Sequence, residues 1–137
     1  MKVGVIIPAY NEAERIRQTI RAVRLLPNIA EIVVVDDGSA DETASEALRE
    51  GARVVWHQAN YGKGQALKTG IQSVRSEVIV FADADMGEYA SDLYKLIEPI
   101  VSGKADMTVL RMKRHRKHCV KVLGWSGIKR TMGKAKR

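Results

Sequence analysis

An α/β domain built on a mostly parallel sheet is what the sequence predicts, and three observations predict it. Short unbroken apolar runs recur through the first 110 residues, amphipathic segments of helical spacing alternate with them, and polar or glycine-bearing loops follow the runs. Strands alternating with helices imply right-handed βαβ crossovers and a sheet covered on both faces. In such sheets ligands bind outside the carboxyl ends of the strands, so function is to be sought in the loops there.

The first strand is Val3-Gly-Val-Ile-Ile7, which Pro8 is expected to end. Asn11 then reads as an N-cap for a helix from Glu12 to Leu25, with acids in its first turn, Ile16, Ile20 and Val23 on one face, and Pro27 beyond. Ile32-Val-Val-Val35 repeats the pattern. After its turn, Asp36-Asp-Gly-Ser39, the Ser39-Ala-Asp-Glu42 segment has capping-box spacing ahead of Ala44, Ala47 and Leu48.

Arg53-Val-Val-Trp56 fits a shorter third strand. Gly62 to Arg75 then places Leu67, Gly70, Ile71 and Val74 on one helical face. The fourth strand, Val78-Ile-Val-Phe-Ala-Asp-Ala-Asp85, ends in two carboxylates at i and i+2; on extended backbone they point to one side, spaced to share a hard divalent cation. The plainer alternative is that one caps the next helix and the other is solvated. Leu93, Leu96, Ile97, Ile100 and Val101 mark a last amphipathic helix, Ala105 to Leu110 a fifth strand, and Val120, Leu123, Trp125 and Ile128 a short helix interrupted by Gly124 and Gly127.

The chain has 137 residues, enough for one core without staples, and its single cysteine, Cys119, rules out an internal disulfide framework. With no signal-peptide pattern and no apolar run of membrane-span length, the expected setting is cytoplasmic. The net charge of +7 is unevenly divided: residues 1 to 110 hold 12 basic against all 16 acidic side chains, and from Arg111 onward there are 11 basic and no acidic ones. We therefore read residues 1–111 as the domain and 112–137 as a basic C-terminal extension. That extension would suit anionic lipid, a peripheral contact at the inner membrane face, or a phosphorylated acceptor; a solvated tail is the other reading. No nucleic-acid partner is expected, because aromatic residues are few and no RNA or DNA motif accompanies the charge.

Taken singly, the loops are ambiguous. Gly62-Lys-Gly-Gln65 is neither a phosphate-binding P-loop, lacking the leading glycine and the Ser or Thr after the lysine, nor a dinucleotide fingerprint, with Leu67 where the third glycine belongs. It remains a helix-leading loop with a lysine, suited to an anion. Asp36 and Asp37 could accept hydrogen bonds from a base or ribose, or cap the next helix. His115, His118 and Cys119 lack a distant ligand pair and read as solvated side chains before a zinc site.

In combination they are specific. Ile6-Ile-Pro-Ala-Tyr-Asn-Glu12, Val33-Val-Val-Asp-Asp-Gly-Ser-Ala-Asp-Glu-Thr43, Asn60-Tyr-Gly-Lys-Gly-Gln-Ala-Leu67 and Phe81-Ala-Asp-Ala-Asp85, in this order, resemble the donor half of a family 2 glycosyltransferase of the GT-A, Rossmann-like three-layer fold. The resemblance is nearest to dolichyl-phosphate mannose synthase and bacterial polyprenyl-phosphate glycosyltransferases, and it covers residues 1 to about 111. It implies that Pro8, Tyr10, Glu12 and Asp36 or Asp37 hold the nucleoside, that Lys63 and Arg111 lie near the diphosphate, and that Asp83 and Asp85 form the DxD motif holding Mg²⁺ or Mn²⁺ on a UDP- or GDP-sugar. The implied reaction is inverting sugar transfer to an acceptor such as a polyprenyl phosphate or another cell-envelope glycan precursor.

Two positions depart from the family pattern. Gly87 stands where relatives often carry a Gln two places after the second aspartate, so Glu88 or water would substitute, and Val109-Leu-Arg111 replaces a Gly-Ser-Arg segment. Relatives also continue into an acceptor-binding half that often supplies a catalytic carboxylate; no general base is identified here, and an ionised phosphate acceptor needs none. The chain is therefore read as a truncated or minimal glycosyltransferase domain, with 112–137 as the start of an acceptor region; a donor-binding remnant without turnover and a sugar nucleotidyltransferase are the alternatives. The last usually has a Gly-rich, Arg- and Lys-bearing signature where this chain has Pro8-Ala-Tyr-Asn11. Oligomeric state is not legible.

Overall fold

The computed structural model describes residues 1–110 and 120–124. Six strands form one sheet: β1 (Val3–Ala9), β2 (Ile29–Asp36), β3 (Arg53–Trp56), β4 (Val78–Phe81), β5 (Met107–Leu110) and β6 (Val120–Leu123), in the order β3-β2-β1-β4-β6-β5. β1 pairs in parallel with β2 and β4, and β2 with β3, whereas β6 runs antiparallel to both its neighbours. Around the sheet lie α1 (Ile16–Arg24), α2 (Thr43–Arg49), α3 (Lys63–Ser73) and α4 (Tyr94–Val101), with a 3₁₀ helix over Gly87–Leu93. The mostly parallel α/β sheet expected from the sequence is present.

The period-2 alternation of the strands sorts the core into two layers. Val3, Val5, Ile7 and Ala9 of β1 face the larger layer with Ile16, Ile20 and Val23 of α1, Ala47 of α2, and Ile97 and Ile100 of α4. Ile6, Val33, Val35 and Ile79 face the other, where α3 brings Ala66, Leu67 and Ile71. The α3 backbone lies so close to β1 that a Cβ on Gly70 would stand 2.3 Å from Ile6 Cγ2. Small size at residue 70 is what lets helix and strand meet.

Several boundaries differ from the sequence reading, each for a local reason. Pro8 lies inside β1 and does not end it. Ile6 O accepts Ala82 N–H on the β4 side, Pro8 shares that side, and β4 pairing stops at Ile6 opposite Phe81, so the missing proline N–H costs no ladder bond. α1 begins at Ile16, not Glu12. The amides of residues 11–13 instead donate across to the loop after β2 and the start of α2: Asn11 N to Ser39 Oγ at 2.9 Å, Glu12 N to Thr43 Oγ1 at 2.9 Å and Ala13 N to Asp41 Oδ2 at 3.2 Å.

Asn11 takes a left-handed conformation, φ 52°, and caps no helix; its Oδ1 accepts Ala40 N–H at 2.9 Å. Ser39 is not the cap of α2 either, because Asp41 Oδ1 accepts Thr43 N–H at 3.0 Å. The segment 120–123, expected as helix, is strand β6, wedged between β4 and β5 with Val122 fully buried. It takes part of the stretch assigned to the basic extension into the sheet. The rest of that extension, with His115, His118 and Cys119, lies outside the described residues.

Candidate functional site

The chain runs from β1 outward through β2 to β3 on one side and then crosses to β4 on the other. The sheet therefore reverses winding between β1 and β4, and a crevice opens at their carboxyl ends, where an open α/β sheet offers a ligand site. β1 extends to Ala9 while its pairing with β4 ends at Ile6. β4 ends at Phe81, not at Asp85 as expected, because the chain turns over residues 83–86, with Met86 N–H donating to Asp83 O at 3.3 Å. The two aspartates therefore stand on a turn and not on extended backbone. The space between this turn and the end of β1 is a cleft of about 370 Å³, within the ordinary range for small-molecule sites.

Of the residues singled out in the sequence, Pro8, Tyr10, Glu12, Asp37, Lys63, Asp83 and Asp85 line this one cleft, drawn from four different loops. Asp36 does not line it: its Oδ1 accepts Ser39 N–H at 3.0 Å and shapes the turn after β2. Arg111 lies outside the described residues. Ala9, Asn60, Gly62, Ala66 and Ala84 complete the wall.

Asp37 is buried, and its carboxylate organises the loop before α3. Oδ1 accepts Tyr61 N–H at 2.9 Å and pairs with His57 Nδ1 at 2.8 Å, and Oδ2 accepts Gly62 N–H at 2.9 Å. Burial pushes this carboxyl up, but the His57 ring and the two backbone donors outweigh it and hold it below its ordinary value. His57 Nε2 lies 2.8 Å from Thr69 Oγ1, tying the ring to α3, and Tyr61 packs against it with centroids 5.2 Å apart. Sequence reasoning gave His57 no role. Its only signal was its place at a strand end, shared with many unremarkable residues.

Lys63, at the first turn of α3, sets its Nζ 2.6 Å from Asp83 Oδ1. Asp85, partly exposed, lies 3.9 Å from Arg15. Burial and the neighbouring Asp85 carboxylate, with smaller contributions from Asp41 and Asp83, raise the Glu12 carboxyl against the opposing pull of Arg15. Among the described residues, four carboxylates and the Lys63 ammonium line the cleft, with the Arg15 guanidinium beside Asp85. Gly87 follows with φ +57°, a conformation in which a longer side chain is strained.

Residues 4–125 match the model of glycosyl transferase family 2. The chain belongs to this family. Among its relatives, an undecaprenyl-phosphate 4-deoxy-4-formamido-L-arabinose transferase of Enterobacter is 37% identical over 123 residues, covering 82% of this chain and 38% of the relative. An uncharacterised protein of Methanocaldococcus jannaschii is 35% identical over 111 residues, covering 79% and 45%. The chain therefore spans less than half the length of these curated relatives.

Among solved structures, glucosyl-3-phosphoglycerate synthase of Mycobacterium tuberculosis, in complex with Mn²⁺, UDP and glucosyl-3-phosphoglycerate, superposes with a TM-score of 0.69 at 28% identity, over 77% of this chain and 42% of that one. The same synthase with UDP gives 0.78 at 22% identity over 91% and 57%, a likeness of fold alone. It has also been crystallised with Mg²⁺ and UDP. The fold is that of the GT-A nucleotide-sugar transferases.

Proposed function

We propose that the cleft binds the nucleotide diphosphate of a sugar donor with a divalent cation, and that the chain serves as the donor-binding part of a glycosyltransferase. The observation that carries this is the convergence of Asp83, Asp85, Lys63 and Asp37 on one crevice at the winding reversal of the sheet. Among the described residues, the four carboxylates lining the cleft outnumber the Lys63 ammonium and the Arg15 guanidinium beside Asp85 and oppose a diphosphate, and a divalent cation between them offsets that repulsion.

The donor set fits such an ion. The described residues contain no cluster of three or more His, Cys, Asp or Glu side chains able to hold a metal alone. One or two carboxylates completed by phosphate oxygens and water is the arrangement Mg²⁺ favours. Asp83 and Asp85 would hold it, and it would supply charge neutralisation as the nucleoside diphosphate leaves.

The chain's own groups divide the remaining work. The Asp37 carboxylate has about four lone-pair positions, of which three accept from His57, Tyr61 and Gly62. The remaining one, on Oδ2, can take a single in-plane N–H from a pyrimidine or purine edge. Tyr10 and Pro8 at the lip flank that edge, and Lys63, close to Asp83, meets the diphosphate. UDP is the first candidate, since the M. tuberculosis synthase binds it, and GDP is the second.

For the acceptor, a polyprenyl phosphate is supported by the name of the Enterobacter relative. No helix among the described residues is long and apolar enough to cross a membrane; the basic residues from Arg111 onward would supply a contact with anionic lipid. A titration panel of UDP, GDP, CDP and ADP in Mn²⁺ tests the donor side. Selective binding of UDP or GDP is expected; binding of none of them overturns the proposal.

A further inference from the structure

Thr19 is fully buried on α1, yet its hydroxyl is spent outside the helix. Oγ1 lies 2.6 Å from Ala84 O, to which it donates, and 3.3 Å from the O of Arg15, the residue just before α1. It also accepts Gly87 N–H at 2.8 Å. Ala84 O belongs to the peptide joining Ala84 to Asp85, and Gly87 closes the turn that follows. One hydroxyl therefore fixes both the plane of the second of the two peptides between the aspartates and the exit of their loop.

Backbone bonds also hold this loop. Ala82 N–H donates to Ile6 O at 3.0 Å at its start, and Met86 N–H donates to Asp83 O at 3.3 Å within it. Beyond Thr19, the adjacent exposed residue Gln18 also reaches the turn, its Oε1 lying 3.1 Å from where a Cβ on Gly87 would stand. A carboxylate pair holds a cation only if its backbone is kept to within about half an ångström of the required geometry. A buried hydroxyl that donates and accepts at once meets that need and leaves no polar group unpaired.

We propose that Thr19 is the positioning residue of the Asp83–Asp85 pair, acting through Ala84 O and Gly87 N–H to hold the two carboxylates in cation-binding register. This rests on the reading of that pair as the cation site. Thr19→Val keeps the shape and removes the hydroxyl, and Thr19→Ser keeps the hydroxyl and removes the methyl. Each variant and the wild type are titrated with UDP in Mn²⁺ and in chelator, and the quantity read is the ratio of the two affinities.

Thr19→Val is expected to reduce that ratio roughly tenfold or more, the scale of one buried hydrogen bond left unmade, with the affinity in chelator unchanged. Thr19→Ser is expected to keep the ratio. A wild-type ratio in Thr19→Val, or equal loss in both variants, overturns the inference while the cation reading stands. A wild type with no Mn²⁺-dependent gain overturns the cation reading and the inference with it. Amide exchange of the wild type needs no variant: Gly87 N–H protected like the α1 amides supports the clamp, and free exchange there overturns it.

Discussion

The Lys63 ammonium sits 2.6 Å from Asp83 Oδ1, so the cleft holds a cation of its own beside the carboxylate proposed to bind a metal. Lys63 is exposed enough to swing, and a diphosphate arriving with its metal offers it new oxygens. Lys63→Met should therefore weaken UDP about tenfold to a hundredfold, the loss of a charge-assisted hydrogen bond. Uridine, lacking phosphates, should bind the variant as it binds the wild type. Calorimetry with both ligands checks this, and an equal loss for uridine would show that the lysine acts on fold rather than on phosphate.

Asp37 should make the protein acid-sensitive. Its folded carboxyl titrates below the unfolded one, since the bonds from His57, Tyr61 and Gly62 outweigh burial. Its stabilisation is therefore complete above the unfolded value of about 3.9 and lost as pH falls through the lower folded value. Asp37→Asn should lower the melting temperature at pH 7 and flatten its decline between about pH 5 and pH 2. A variant whose acid profile parallels the wild type would contradict the assignment.

Glu12 has the opposite sign. Burial and the Asp85 carboxylate raise its folded value, so whatever stability the protonated acid gives exists below the unfolded value of about 4.3 and disappears as pH rises through the folded one. At neutral pH the charged group destabilises the fold. Glu12→Gln should melt higher than the wild type at pH 7, with the gain vanishing near pH 4, as scanning calorimetry can follow. A gain that persists in acid would rule out the charge as its source.

Gly70→Ala tests the close contact between α3 and β1. The new methyl would lie 2.3 Å from Ile6 Cγ2, an overlap that should cost about 1–3 kcal/mol. Helix propensity alone predicts the reverse, a gain of up to ~1 kcal/mol. The denaturation midpoint decides between them.

What the sequence made legible follows from local physics. The apolar runs of β1, β2 and β4 need no partner to be recognised, since strands buried on both faces are continuous in composition. The four loops were found because strand ends are fixed once the strands are. What escaped depends on distant partners: β6 is four residues whose pattern suits helix or strand equally until β4 and β5 flank it. Residues 11–13 have the composition of a helix start, but Ser39, Asp41 and Thr43 claim their amides from 28 to 31 residues away. Asp36 and Asp37 are identical in type, and only the fold separates the one that shapes a turn from the one that lines the cleft.

Asp83 and Asp85 are proposed to join a divalent cation to a nucleotide diphosphate. The most direct test is titration of the wild type and Asp85→Asn with UDP, each in Mn²⁺ and in chelator. The account predicts wild-type binding at least tenfold tighter in Mn²⁺, on the scale of about 1.4 kcal/mol or more, and an Asp85→Asn variant that loses most of this gain. Equal wild-type affinity in chelator, or a full metal-dependent gain in Asp85→Asn, would contradict it.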